Sequence, residues 1–319
     1  MVAKVYSQIK QDFGRIVEPF TLHSPIPSIL AGAWMAARES ELVGYAPRSV
    51  KEAIAASISK LNHCPYCVDA HTIMIRASGE KRTAKLIAQE KYNEIKPSQT
   101  KEIIKWALST LSPKSELINK PPFTKELAPE IIGTAVFYHY INPLVTIFLG
   151  DSPLPFPFFK SQMKPIVSHL FKKSVNNPKL PGDSLDFLPD AKLPQDLSWA
   201  EESNNVSGAY ARFAKAFSEL EETVIPKEIQ NIVKQYMDNW TGEIQKSGID
   251  KIEEIISHLR VESKIATKIA LLTIFSPYKI NQENIKEFRN FFTQQEELLG
   301  LTAWASFIRA RKIGQNLIS

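Results

Sequence analysis

Apolar residues recur every three or four positions along most of the chain, which is the spacing of one face of an α-helix. Three stripes show this spacing: Val50, Ile54, Ile58 and Leu61; Ile103, Ile104, Leu108 and Leu111; and Ile229, Ile232, Val233 and Tyr236. Pro47 and Pro226 precede two of the stripes as start signals, and Ser112-Pro113 follows the other. No series of alternating apolar and polar residues indicates strands. The pattern therefore predicts an all-α fold.

The segment 151–200 interrupts this helical pattern. It holds eight of the chain's 21 prolines. Proline blocks helix interiors, so we expect a long connection here with at most one short helix, around Gln162 to Lys173. The predicted organisation is a helical domain over 1–150, a Pro-rich connection over 151–200 and a second helical domain over 201–319.

The two predicted domains share short matches in the same order. Gly32-Ala33-Trp34 matches Gly208-Ala209-Tyr210, and Ala107-Leu108 followed by Ser112-Pro113 matches Ala270-Leu271 followed by Ser276-Pro277. We interpret the chain as an internal duplication whose second copy, which has no cysteine, is degenerate. One chain would then imitate a dimer of single-domain proteins.

Composition and charge limit the kinds of partner and the location that are expected for this chain. Hydrophobic residues make up 44% of the chain and charged residues 23%, as in ordinary globular proteins. The net charge is +5 without a basic run interleaved with aromatics, so nucleic-acid binding is not expected. The apolar segment 131–150 is long enough to span a bilayer, but His139, Asn142 and Pro143 favour a buried helix without membrane contact. The N-terminus lacks the apolar core of a signal peptide, and we expect a cytoplasmic protein.

The only two cysteines are Cys64 and Cys67, which indicates redox chemistry or metal binding. Asn62 is predicted to cap the following helix and Pro65 to lie in its first turn. A helix N-terminus favours thiolates. The i, i+3 spacing puts both sulfurs on one face. His71, four residues beyond Cys67, would lie on that face and accept the thiol proton or stabilise the thiolate.

Glu52, twelve residues before Cys64, is the remaining candidate. It shares a helix face with Ala55, Ala56 and Ser59, and such small residues let another helix approach closely. A carboxylate buried beside an imidazole is a plausible proton relay. The alternative for Glu52 is a solvated surface glutamate.

Glu52, Cys64, Cys67 and His71 at this spacing, followed by Gly79, resemble the carboxymuconolactone decarboxylase superfamily, most closely its alkylhydroperoxidase D-like (AhpD-like) branch. The stretch LNHCPYCVDAHTIMIRASG carries the resemblance, which covers about residues 20–150 with a weaker echo in 200–319.

The resemblance implies an all-α AhpD-like fold, homo-oligomers and peroxide reduction by paired cysteines without a cofactor. Cys67 would be the peroxidatic thiol, Cys64 the resolving and more exposed thiol, and His71 with Glu52 the proton relay. An external dithiol, of thioredoxin or lipoyl type, would reduce the resulting disulfide.

Four other interpretations of the cysteine pair compete with this one. CPYC is also the glutaredoxin sequence, but the preceding SVKEAIAASISKL is helical and no Thr-Val-Pro segment follows. Cys64, Cys67, His63 and His71 could bind zinc, although His63 adjoins Cys64 and is poorly placed to chelate the same ion. Protein disulfide exchange and a non-enzymatic role as redox sensor or scaffold stay open.

Overall fold

The structure is a computed structural model that describes residues 1–154, 160–240 and 248–317. These residues form sixteen α-helices and no β-strand, so the predicted all-α fold is confirmed. In the first half the helices are α1 (Val2–Phe13), α2 (Glu18–Thr21), α3 (Pro27–Ala37), α4 (Arg48–Leu61), α5 (Pro65–Ala77), α6 (Lys81–Ala88), α7 (Ser98–Leu108), α8 (Glu116–Asn119) and α9 (Ala128–Phe148).

One helix, α10 (Lys160–Asn176), lies in the Pro-rich connection, slightly longer than predicted. The second half contains α11 (Asn204–Val224), α12 (Lys227–Asp238), α13 (Gly248–Ile256), α14 (Val261–Phe275), α15 (Gln282–Arg289) and α16 (Gln295–Asn316).

Helix α9 lies at the centre of the protein. It is the one described helix that is long and apolar enough to cross a membrane, and 83% of its most apolar window is buried inside the protein. Its polar side chains have partners: His139 Nε2 lies 2.8 Å from the Thr110 hydroxyl, and Asn142 Oδ1 accepts a hydrogen bond from Ser59 at 3.3 Å. Residues that would be costly in lipid are thus accommodated by neighbouring helices.

The two halves share a single main core. Helix α3 packs on α11, and α9 packs on α16. On α9, Tyr140 makes edge-on contacts with the rings of Phe213 and Phe217 on α11 and of Phe307 on α16. Helices α3 and α11 carry the matching segments Gly32-Ala33-Trp34 and Gly208-Ala209-Tyr210. The duplication and the domain boundaries stay predictions.

Helix α10 fixes one side of the region that holds the cysteines. Phe171 and Val175 of α10 pack against Ile73, Met74 and Ala77 of α5 and form a small hydrophobic cluster apart from the main core. The connection between the halves is therefore part of the packed structure around α5.

We expect Gly32→Ala to destabilise the fold by about 1–3 kcal/mol, the usual cost of overpacking. A Cβ at Gly32 would lie 2.4 Å from Phe213 Cδ2, so α3 and α11 would have to separate. Urea unfolding followed by tryptophan fluorescence measures the change. Gly150→Ala is the control because nothing lies within 4 Å of its added Cβ, and it should change stability by less than about 1 kcal/mol. Equal effects of the two variants would contradict this role of Gly32.

Candidate active site

The cysteine pair stands at the N-terminus of α5. Cys64 is the N-cap residue and Pro65 the first helical residue. His63 takes a left-handed backbone conformation with a φ of 56° and turns the chain from α4 into α5. The two Sγ atoms lie 2.7 Å apart, not far from the disulfide bond length of about 2.05 Å. The predicted placement of both sulfurs on one face is what the structure has.

The prediction that Asn62 caps α5 is wrong. Asn62 ends α4 instead, and its side chain is buried. Its Nδ2 lies 3.2 Å from His139 Nδ1, and its Oδ1 accepts a hydrogen bond from Nη2 of Arg309 on α16 at 3.0 Å. A buried guanidinium needs an acceptor, and Asn62 supplies it. The second half thereby holds the turn that carries Cys64.

The structure buries Glu52 completely between α4 and α5, as the small residues on its helix face suggested. Glu52 Oε2 lies 2.6 Å from His71 Nδ1. The other oxygen, Oε1, accepts hydrogen bonds from Arg48 Nε at 2.8 Å and Nη2 at 2.5 Å. One carboxylate thus joins an imidazole to a guanidinium.

The charges of this group follow from burial and pairing. Burial by itself raises the pKa of Glu52, but the Arg48 and His71 charges overcome it and lower that pKa to about 2. Burial opposes protonation of His71, yet the charge and hydrogen bond of Glu52 outweigh it and raise the His71 pKa. The group therefore favours a carboxylate between two cations, and His71 is better suited to stabilise an anion than to accept a proton.

Sequence reasoning missed Glu41. It lies in a π-helical turn, Arg38–Leu42, that continues α3. Its side chain is buried, its Oε2 accepts a hydrogen bond from Tyr138 at 2.7 Å, and its Oε1 lies 3.9 Å from His71 Nδ1. Burial, followed by the nearby Glu52 charge, raises the Glu41 pKa to about 7. Acidic residues at the end of the apolar segment 29–37 were the signal that could have found it.

The two thiols differ in their readiness to ionise. Burial opposes ionisation of Cys64, but hydrogen bonds from the Cys67 side chain and backbone N–H lower its pKa. Burial and the neighbouring Cys64 raise the pKa of Cys67 well above its usual value. The pair thus favours sharing one proton. Cys64 is 1% exposed and Cys67 3%, so the expectation that Cys64 is the more exposed thiol is wrong.

A sequence relative bears directly on this site. The chain is 32% identical over 314 residues to an alkyl hydroperoxide reductase of Mycobacterium tuberculosis, a match that covers 98% of this chain and 90% of the relative. This chain belongs to the AhpD-like family. No protein-family model and no solved structure matches it. Because the match spans both halves of this AhpD-like protein, the relative has a counterpart of the second half as well.

In the AhpD-like protein the two cysteines line two different spaces. Cys67 lines a partly open cavity of about 320 Å³ together with Glu41, Glu52 and His71. The remaining wall is largely apolar and includes Phe20, Phe137, Ile141, Met163, Val167 and Phe171. Cys64 instead lines a surface groove of about 780 Å³ with Lys60 and His63. The dithiol therefore lies between a largely apolar cavity and a surface groove.

The structure does not bring together the four residues of the alternative zinc site, Cys64, Cys67, His63 and His71. His63 lies edge-on to Tyr278, with ring centres 5.8 Å apart, while His71 is bonded to Glu52. Among the described residues, only Glu41, Glu52 and His71 bring three possible ligand atoms within 4.8 Å of one another. Arg48 already supplies a positive charge at Glu52, so this group contains its own cation.

We expect Glu52→Gln to lower the pKa of His71. The Glu52 charge and hydrogen bond raise the wild-type His71 pKa above 6.5, although burial acts in the opposite direction. In the variant the effect of burial remains and the Glu52 charge is absent. The Glu52–His71 pair should therefore stabilise the fold below about pH 6.5. This stabilisation should be lost as pH rises through the His71 pKa. It should also be lost as pH falls toward about 2, where Glu52 takes up a proton. NMR titration of the histidine signals measures the shift. Glu90→Gln, an exposed carboxylate paired with Lys60, is the control. An unchanged His71 titration in Glu52→Gln would contradict the pairing.

Proposed function

We propose that this AhpD-like protein is a thiol-dependent peroxidase, an oxidoreductase that reduces hydroperoxides through a Cys64/Cys67 dithiol–disulfide cycle. The carrying observation is the position of Cys67. It borders a largely apolar cavity beside the Arg48–Glu52–His71 group, and a second sulfur lies 2.7 Å away. The name of the relative, an alkyl hydroperoxide reductase, supports the same reaction class.

The chemistry begins with a thiolate at Cys67. Loss of one proton from the thiol pair, followed by transfer of the remaining proton from Cys67 to Cys64, puts the negative charge on Cys67. This thiolate attacks the terminal peroxide oxygen, an S–O bond forms, and the O–O bond breaks with release of an alkoxide that takes up a proton. Cys67 is left as a sulfenic acid. The peroxide gains the two electrons that the sulfur loses.

The cationic side chains lower the energy of this step. Negative charge moves from sulfur to the departing oxygen beside cationic side chains whose positions are already fixed, and such charges stabilise the transition state strongly. His71 and Arg48 both line this cavity, and Glu52 holds both of them in place. Their arrangement is fixed before the substrate binds, so little reorganisation is needed during the reaction.

The disulfide forms with the second sulfur. Cys64 attacks the Cys67 sulfenic acid, the S–S bond forms and water leaves. An external dithiol, of thioredoxin or lipoyl type, then attacks the disulfide and returns both thiols. The groove on the Cys64 side, bordered by Lys60 and His63, is the access route that we propose for this reductant.

The cavity favours organic hydroperoxides over hydrogen peroxide. Its wall is largely apolar, so an alkyl or aryl group gains free energy by leaving water for it. Hydrogen peroxide has no such group. A protein disulfide is also a poorer fit, because Cys67 is only 3% exposed and a polypeptide has little access to its sulfur. This favours peroxide reduction over the alternative of protein disulfide exchange.

We expect Cys67→Ser to abolish peroxide consumption and Cys64→Ser to stop after one event per chain. Without Cys64, the sulfenic acid on Cys67 has no resolving thiol and should be trapped by dimedone, as mass spectrometry would show. Coupled turnover with excess dithiol separates a catalyst from a redox sensor. Full turnover in Cys67→Ser would exclude the proposed cycle.

We expect Val167→Trp to lower the rate with cumene hydroperoxide by about tenfold while leaving the rate with hydrogen peroxide nearly unchanged. Val167 of α10 lines the cavity, so a larger side chain there takes space from the organic group. The control is Ile166→Trp, because Ile166 is 66% exposed on the same helix. Both rates are measured as the loss of free thiols over time, a signal that does not depend on the fluorescence of the introduced tryptophan. An equal loss with both peroxides would contradict a substrate-binding role for the cavity.

A further inference from the structure

Glu41 has one carboxyl oxygen without a hydrogen-bond partner. Its Oε2 is bonded to the Tyr138 hydroxyl, but Oε1 is buried, has no hydrogen-bond partner and lies 3.9 Å from His71 Nδ1. Buried polar atoms without a partner are costly and uncommon in native proteins. The Glu41 side chain lines the cavity beside Cys67 and His71. Oε1 is therefore the Glu41 atom that is left for a substrate in this cavity.

The reaction needs a proton donor that the other residues supply poorly. Cleavage of an alkyl hydroperoxide releases an alkoxide, which is a strong base and a poor leaving group until it is protonated. Glu52 is held as a carboxylate and has no proton to give. His71 has its Nδ1 committed to Glu52 at 2.6 Å, and because Glu52 raises the His71 pKa, the remaining Nε2–H is a weaker acid than that of an ordinary imidazolium. Glu41 combines a proton-bearing form near neutral pH with a carboxyl oxygen that has no hydrogen-bond partner.

We propose that Glu41 is a further catalytic residue, the general acid that protonates the departing alkoxide. The proposal rests on the peroxidase function proposed above. As the Cys67 sulfur forms its bond to the terminal oxygen and the O–O bond breaks, the Glu41 carboxyl gives its proton to the other oxygen, and the products are an alcohol and a Glu41 carboxylate. The proton released when a fresh thiol pair ionises restores the acid.

The groups around Glu41 stabilise both the protonated and the ionised form of its carboxyl group. The charged and titratable groups that face it are Arg48 and Glu52 on α4, His71 on α5 and Tyr138 on α9. Lys51 and Tyr210 also respond to its charge. Glu52 disfavours a second carboxylate nearby, whereas Arg48, His71 and the Tyr138 hydroxyl favour it once the proton has left. The carboxyl group can therefore serve in both states.

The test compares oxidants with different leaving groups. Glu41→Gln keeps the shape of the side chain and an acceptor for Tyr138 but cannot donate an acidic proton. It should slow oxidation of the reduced dithiol by cumene hydroperoxide about 100-fold. Oxidation by peracetic acid should change little, because the departing acetate is a far weaker base than an alkoxide. Rates are measured by stopped flow under single-turnover conditions.

The ratio of the two rates also isolates the proton donor from the thiolate. Both oxidants need the same Cys67 thiolate, so its ionisation cancels in the ratio. In wild type this ratio should fall as pH rises through about 7, where Glu41 loses its proton, over the range in which peracetic acid stays protonated. In Glu41→Gln the ratio should be low and independent of pH. Glu41→Asp keeps a titratable carboxyl and should retain the pH dependence.

Glu39→Gln is the matched control. Glu39 is a buried carboxylate of the same π-helical turn, but it binds Arg38 and Ser184 and lies outside the cavity. Its neutralisation should leave the ratio of the two rates at the wild-type value. An unchanged ratio in Glu41→Gln would overturn the role of Glu41 while the peroxidase function stands. If the wild-type thiols react with neither oxidant, the peroxidase function itself fails and the inference fails with it.

Discussion

The bond between the Glu52 carboxylate and the His71 imidazole is the interaction on which the site depends. It joins two helices, α4 and α5, at a point where Glu52 is fully buried and its charge would be costly without a partner. Arg48 completes the set, so that one carboxylate is shared by two cations. Close packing of α4 on α5 brings the group together, and the group in turn fixes the orientation of the helix that carries both cysteines.

Much of this site is encoded locally. The spacing of Glu52, Cys64, Cys67 and His71 requires only two consecutive helices and a short turn, so helical geometry and small side chains on one face suffice to place them. Glu41 is different. It reaches the site through packing of the α3 extension against α9 and the α4–α5 pair, and no local periodicity records such long-range contacts. The sequence predicted the proton relay but not the second carboxylate beside it.

The features that the sequence did not predict correctly also depend on contacts between residues far apart in the chain. Asn62 has the side chain of a good N-cap residue, but it accepts a hydrogen bond from a buried arginine of α16, almost 250 residues later in the chain. The exposure of Cys64 depends on residues packed around the turn, which helical periodicity does not describe. The helix in the Pro-rich connection was predicted, but its contact with α5 and the cavity could not be, because its partner surface lies elsewhere in the chain.

The contact of the two cysteines with different spaces has a kinetic meaning under the proposed function. Because Cys67 borders the apolar cavity and Cys64 the surface groove, oxidant and reductant would occupy separate volumes. High concentrations of either one would then not block the other, and the protein would be spared the mutual inhibition that is common when two substrates alternate at one site. Electrons would pass through a single disulfide, entering from the groove on the Cys64 side and leaving into the cavity on the Cys67 side.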